Sequence, residues 1–210
     1  MTLYSAYKWY FCMALCLSLP EQLKGQKISL GFALTPQALT FTGPDAAQDN
    51  RFRLGGESAM TLAYELSPNL VLSSSLGYAM RGTRSAQGSL IQMDYLFTAV
   101  GLKYLWAGEY RRFYTGFGAS PSGLLRATSD QTNINYAYKK VDVGIFALLG
   151  VRYVWGRRKL CDIEFRYQRS LLTIAALSSP PIIGTKTRSF LVFQSGLGLQ
   201  FSLLWPLDRP

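Results

Sequence analysis

Asp162-Ile-Glu-Phe-Arg-Tyr-Gln168 alternates charged or amide side chains with large apolar ones, one residue at a time. In an extended backbone successive side chains point to opposite faces, so Ile163, Phe165 and Tyr167 share one face. Asp162, Glu164, Arg166 and Gln168 share the other. The same period runs outward through the chain. In Arg53–Leu66, Leu54, Met60, Leu62, Tyr64 and Leu66 oppose Arg53, Glu57, Ala59, Thr61, Ala63 and Glu65. In Leu70–Arg81, Leu70, Leu72, Leu76, Tyr78 and Met80 oppose Ser73, Ser75, Gly77, Ala79 and Arg81. Near the end, Leu191, Phe193, Leu197, Leu199, Phe201, Leu203 and Trp205 oppose Gln194, Gly196, Gly198, Gln200 and Ser202. Strands are expected near 27–36, 51–66, 69–81, 90–106, 109–121, 137–155, 159–171 and 188–205.

Alternation also fits a soluble β-sandwich or a lipocalin-like periplasmic carrier, with the apolar face inward. Three features favour the opposite orientation. Tight turns at Ser67-Pro-Asn69, Ala107-Gly108 and Gly156-Arg-Arg158 alternate with longer connections near 37–50, 82–89, 122–136 and 172–187, as in outer-membrane barrels. Aromatic residues gather at strand ends, where amphipathic rings suit a bilayer interface. Tyr64, Tyr104, Trp106, Tyr153, Trp155, Phe201 and Trp205 fall toward the short-turn side, as do Tyr110 and Phe113. Tyr78, Tyr95, Tyr136, Tyr138, Tyr167 and Phe190 fall toward the other. Finally, Gly77, Gly101, Gly116, Gly118, Gly144, Gly150, Gly196 and Gly198 mostly oppose the large apolar residues, and small residues suit a narrow barrel interior. The fold expected is an all-β, eight-stranded antiparallel up-and-down transmembrane β-barrel. Closure leaves no unpaired edge for lipid to satisfy.

The chain has 210 residues, one domain's worth, with 22 Lys and Arg against 12 Asp and Glu, a formal charge of +10. No run of about 20 apolar residues could form a spanning helix. Residues 1–26 read as a secretory signal: Lys8 supplies the positive end, Trp9 to Leu19 an apolar core, and Pro20 its break. Cleavage near Gly25 or Gln26 would leave 27–210 as the barrel domain, carrying +9. The rival reading, a lipoprotein signal lipidated at Cys16, meets a bulky Leu15 where a small residue is usual. With 1–26 removed, Cys161 is the only cysteine kept, so no internal disulfide is available.

The chemistry-bearing residues are the charges on the small-residue face. Arg53, Glu57, Glu65, Lys103, Asp142, Arg152, Asp162, Glu164 and Arg166 are expected to face the lumen. Isolated charges there are costly, so a paired network is expected, serving as a structural plug rather than a polar path or ligand site. Tyr64, Tyr78, Tyr104, Trp106, Tyr153, Trp155, Tyr167, Phe201 and Trp205 are the expected membrane-interface aromatics. The chain contains no histidine. That removes the usual base for a serine nucleophile, and no Gly-x-Ser-x-Gly elbow is present. No catalytic, cofactor or metal site is expected. The remaining cations are scattered over strand ends and turns. They suit anionic head groups and lipopolysaccharide phosphates better than nucleic acid, which needs one basic patch with stacking aromatics.

Between Met93 and Ala175 the chain resembles the outer-membrane β-barrel domain family of the Bacteroidetes, the porin-like or PorT-like group. The resembling pieces are Tyr95-Leu-Phe-Thr-Ala-Val-Gly-Leu-Lys-Tyr104, Phe113-Tyr-Thr-Gly-Phe-Gly-Ala119, Val141-Asp-Val-Gly-Ile-Phe-Ala-Leu-Leu-Gly-Val-Arg-Tyr153 and Ile163-Glu-Phe-Arg-Tyr-Gln-Arg-Ser-Leu171. Ser170 stands where the family usually has Gly. The resemblance implies no catalytic residues and suggests envelope secretion proteins as partners. Phe201 and Trp205 offer the terminal aromatics that barrel assembly machinery reads, although Pro206 to Pro210 follow them. Together these readings give a non-enzymatic integral barrel of the cell outer membrane, exported through its signal. It would be structural or adhesive, or part of an envelope secretion assembly; the alternatives are a small pore or transport barrel and the soluble carrier.

Overall fold

The computed structural model describes residues 27–42, 52–84, 90–106, 108, 111–130, 132–135, 138–155, 159–172 and 193–207. The signal segment 1–26, Tyr110, Tyr136, Phe190 and most of the two longest connections lie outside the described residues. Nine strands follow in order: β1 (Ile28–Thr42), β2 (Arg53–Ser67), β3 (Leu70–Arg84), β4 (Leu90–Leu105), β5 (Arg111–Ser129), β6 (Thr132–Asn133), β7 (Val141–Trp155), β8 (Lys159–Ser170) and β9 (Phe193–Pro206). All pairings are antiparallel, in the order β4-β3-β2-β1-β9-β8-β7-β5, and β4 also pairs with β5. The wall is therefore a closed eight-stranded barrel, with β6 a short flap on the end of β5.

The pleat assigns every side chain to one of two faces, and the assignment is inverted relative to a soluble barrel. Leu62, Phe165 and Leu199 are 40%, 50% and 42% exposed, on the outside, whereas Arg166 is 6% exposed, inside. Phe32, Leu34, Met60, Leu76, Leu96, Val100, Phe117, Ile145, Leu149 and Leu197 also face out. Burying one such side chain is worth about 1.5–3 kcal/mol. A belt of this size forfeits tens of kcal/mol in water and regains it in an apolar medium. The lipocalin-like alternative requires the reverse partition.

Inside, the lumen is layered. Toward the short-turn end Val71, Leu105 and Leu204 are fully buried. Toward the opposite, loop end, Phe41, Met93 and Ala127 are buried, with Tyr138 packed on Phe41 at 6.3 Å between ring centroids. Charged side chains occupy the middle.

Several boundaries differ from the sequence reading. β1 and β3 run on to Thr42 and Arg84, and β5 continues through Pro121 to Ser129. Pro121 resembles a terminator because it lacks an N–H. Here it keeps its place opposite Val143, and the β4–β5 ladder skips the positions beside it. Gly82, at φ 148°, lets β3 continue where Gly-Thr-Arg suggests a loop. Regular β7 starts at Val141, not 137, because Tyr138 belongs to the lumen cap. With longer strands, connection 85–89 is no longer than 106–110, so short and long connections do not alternate strictly. Tyr95, expected in the far aromatic ring, is fully buried inside the barrel.

Candidate lumenal charge network

β4, β5, β7 and β8 build the turn-side half of the network. Arg152 on β7 and Asp162 on β8 are direct partners in the ladder, so their side chains leave the same face side by side. The guanidinium grips the carboxylate with two bonds, Nε to Oδ1 at 2.8 Å and Nη2 to Oδ2 at 2.9 Å. Bidentate geometry of this kind is the strongest form of the pair. Lys103 reaches across from β4, placing Nζ 2.6 Å from Glu164 Oε2 and 3.5 Å from Asp162 Oδ2. The Tyr114 hydroxyl donates to the same Glu164 oxygen at 2.9 Å, and Lys103 Nζ lies 4.8 Å from the Tyr114 ring centroid. Glu65 closes this half at its wetter edge, 3.9 Å from Arg152.

The loop-side half centres on Glu57. Arg81 donates to its Oε1 at 2.8 Å, and Gln37 Nε2 lies 3.3 Å from the same atom. Arg166 stands further off, 4.0 Å from Glu57 Oε2 and 3.5 Å from Gln200 Oε1, with its guanidinium carbon 3.8 Å from the Phe146 ring centroid. Its Nε and Nη2 find no hydrogen-bond partner among the described residues. Asp142 accepts from Ser170. Between the halves lies a cavity of about 20 Å³, bounded by Thr61, Ser75, Lys103, Glu164, Arg166 and Gln200. That is room for about one water.

Of the nine charges assigned to the lumen from sequence, Glu57, Lys103, Asp142, Arg152, Asp162, Glu164 and Arg166 are buried there. Glu65 and Arg53 are half-buried near opposite ends. Arg53 does not join the ion pairs: it donates to the Ile91 carbonyl at 2.8 Å and to Gln92 Oε1 at 2.9 Å. Arg81 is the network's missing member, placed by the sequence reading among strand-end surface charge. It shares parity with Ser73, Ser75 and Ala79, so alternation carries the signal. With it, four buried cations (Arg81, Lys103, Arg152, Arg166) face four anions in the lumen (Glu57, Asp142, Asp162, Glu164), while a fifth buried anion, Asp94, pairs in register with the outward-facing Met80. Every described cation outside this set sits toward a barrel end.

The nine aromatics divide differently. Tyr104, Trp106, Tyr153, Trp155 and Trp205 are exposed at the turn end, and Tyr104 meets Trp106 edge-on at 6.1 Å. Tyr64 is only partly exposed. Phe201 faces outward about 13 Å along the strand from Trp205, so it belongs to the apolar belt rather than the end. Tyr78 and Tyr167 are exposed toward the loop end. Among the described residues, no group of three or more Cys, Asp and Glu side chains is placed to hold a metal ion.

Comparison with solved structures turns on this inverted wall. The fold is the eight-stranded barrel of outer-membrane proteins. The neisserial surface protein A (NspA) superposes with a TM-score of 0.51 at 14% identity, covering 85% of this chain and 98% of its own. The outer-membrane protein AlkL, solved in lipid bilayers, superposes with a TM-score of 0.52 at 16% identity, covering 92% of this chain and 98% of its own. No family model matches the chain and no curated protein matches it significantly, so the PorT-like resemblance gains no support from either comparison.

Proposed function

We propose that the chain is an integral barrel of the outer membrane that acts without catalysis, as a closed structural or adhesive element or as a subunit of an envelope secretion assembly. The observation that carries this reading is the pairing of an apolar outer belt with a lumen filled by compensated charge. Hydrocarbon is the medium that suits the belt. A lumen whose central cavity holds about one water, with an apolar layer at each end, suits a plug better than a path. The network is then structural: Glu57, Asp162 and Glu164 each have a cation within reach inside the lumen, and Asp142 accepts from Ser170. External loops carry binding in barrels of this kind, which leaves the loop end as the adhesive or docking face.

Membrane fractionation and planar-bilayer recording test the reading together. The protein is expected to stay with the outer-membrane fraction through osmotic shock and to need detergent for release. Purified and reconstituted, it is expected to give no stable conductance steps. Release by osmotic shock would refute the membrane assignment, and regular open-channel steps would favour the small-pore alternative.

A further inference from the structure

The outer wall carries a recess that neither the charge network nor the aromatic ends use. Strand pairing sets Pro36, Gly56, Met80, Asp94 and Arg126 in one row across β1 to β5. The next row toward the turn end is Leu34, Ser58, Tyr78 and Leu96. In both rows β2 contributes the small residue. Gly56 and Ser58 thus form a floor, with Leu34 and Pro36 as one wall and Tyr78 and Met80 as the other. The recess measures about 330 Å³, within the range of ligand sites. A Cβ on Gly56 would meet only the Thr35 carbonyl, at 3.8 Å, so the floor is open.

The same row ends in charge. Asp94 is buried and accepts from Gln92 at 3.1 Å; Arg126, its ladder partner, is exposed and makes no ion pair with it. Two strand spacings put Arg126 about 10 Å from Met80. Arg84, exposed at the end of β3, is about 13 Å beyond Met80 along the strand. The Lys140 carbonyl accepts from Leu124 N at 2.7 Å, which sets Lys139 and Lys140 beside Arg126. An occupant must therefore offer an apolar chain to the recess and more than one negative group to the rim.

Building on the membrane reading, we propose that this recess seats an acyl chain of a multiply phosphorylated glycolipid in the loop-side leaflet, with Arg84 and Arg126 holding its phosphates. A lipid with one phosphate would engage one arginine and leave the other idle. Each cation near a membrane surface adds attraction for anions, so the second arginine decides between the two lipids.

The test uses the full mature barrel in detergent, incubated with bis-phosphorylated lipid A or with phosphatidylglycerol and read by native mass spectrometry. Wild type is expected to retain lipid A about tenfold over phosphatidylglycerol. Gly56→Leu, which fills the floor, and the double variant Arg84→Ala/Arg126→Ala are each expected to lose that excess. Ser58→Leu fills the same floor from the next row, should Gly56→Leu fail to fold. Equal retention by wild type and variants, or of both lipids, would overturn the proposal. Vesicle insertion is measured in parallel: a chain that does not insert refutes the membrane reading itself, whereas one that inserts and retains no lipid A refutes only the site.

Discussion

Lys103 Nζ lies 2.6 Å from Glu164 Oε2, although β4 and β8 are not neighbours in the barrel wall. The pair is a strut across the bore rather than a contact along it. Removing one partner leaves the other charged, dry and uncompensated, which costs about 3–5 kcal/mol. Lys103→Met is therefore expected to destabilise the barrel by that order. Lys103→Met/Glu164→Gln is expected to recover part of the loss. Reversible urea unfolding in lipid vesicles, followed by tryptophan fluorescence, measures both. Full additivity of the two single changes would show that the strut carries no coupling.

The two arginines facing each half of the network should differ sharply. Arg152 makes two bonds to Asp162, so Arg152→Met is expected to cost about 3–5 kcal/mol by stranding that carboxylate. Arg166 is loosely held, with its nearest carboxylate oxygen at 4.0 Å and two nitrogens unpartnered. Glu57 keeps Arg81 at 2.8 Å, so losing Arg166 strands no carboxylate and removes a guanidinium whose burial is poorly compensated. Arg166→Met is thus expected to change stability by less than about 1 kcal/mol in the same unfolding assay. The reverse ranking would mean that the described geometry is not the one that folds.

Phe165 pairs with Leu149 and Leu199 in the middle of the outer belt. An arginine there meets hydrocarbon, at a cost of about 2–4 kcal/mol near a bilayer midplane. Phe165→Arg is expected to lose that much in vesicles. Arg at Leu54, which is 84% exposed at the loop end, is expected to cost under about 1 kcal/mol. Equal penalties at the two positions would deny that the wall has a depth axis.

Gly150 makes room for a ring. A Cβ there would lie 2.5 Å from Tyr114 Cζ, so Gly150→Ala must push the tyrosine off Glu164. Overpacking of this kind costs about 1–3 kcal/mol. The expected result is that loss in the unfolding assay. Tyr114→Leu, which removes the phenol, should make the alanine cheaper. A penalty unchanged in the double variant would place the clash on the backbone instead.

The period-two pattern made the wall legible because the chain repeats one decision at every residue: which face. That decision placed Phe165 outside and Glu164 inside without knowledge of any contact. What the pattern could not convey is which inward residues are large. Tyr95, Phe97, Tyr114 and Phe146 read as ordinary aromatics, and whether a ring fits the bore depends on glycines contributed by other strands. Gly101 and Gly118 lie against Phe146, and Gly150 against Tyr114, contacts set by the register between β4, β5 and β7. Arg81 was misplaced for a different reason. It falls on the small-residue face, but at the last position of the expected strand, where a charge reads as strand-end surface. Strand ends were blurred wherever Pro121 or Gly82 imitated a stop signal while the ladder continued on both sides.

The spread of the lumenal charges over β2, β3, β4, β7 and β8 has a consequence for assembly. Two of the contacts, Lys103–Glu164 and Arg166–Glu57, join strands far apart in sequence, so an unsealed sheet would present their ions bare to the surrounding oil. Joining the first strand to the last removes that exposure in a single event. A half-formed cylinder is for this reason a poor resting place, and insertion should behave as a switch with few stops between the open ribbon and the finished tube.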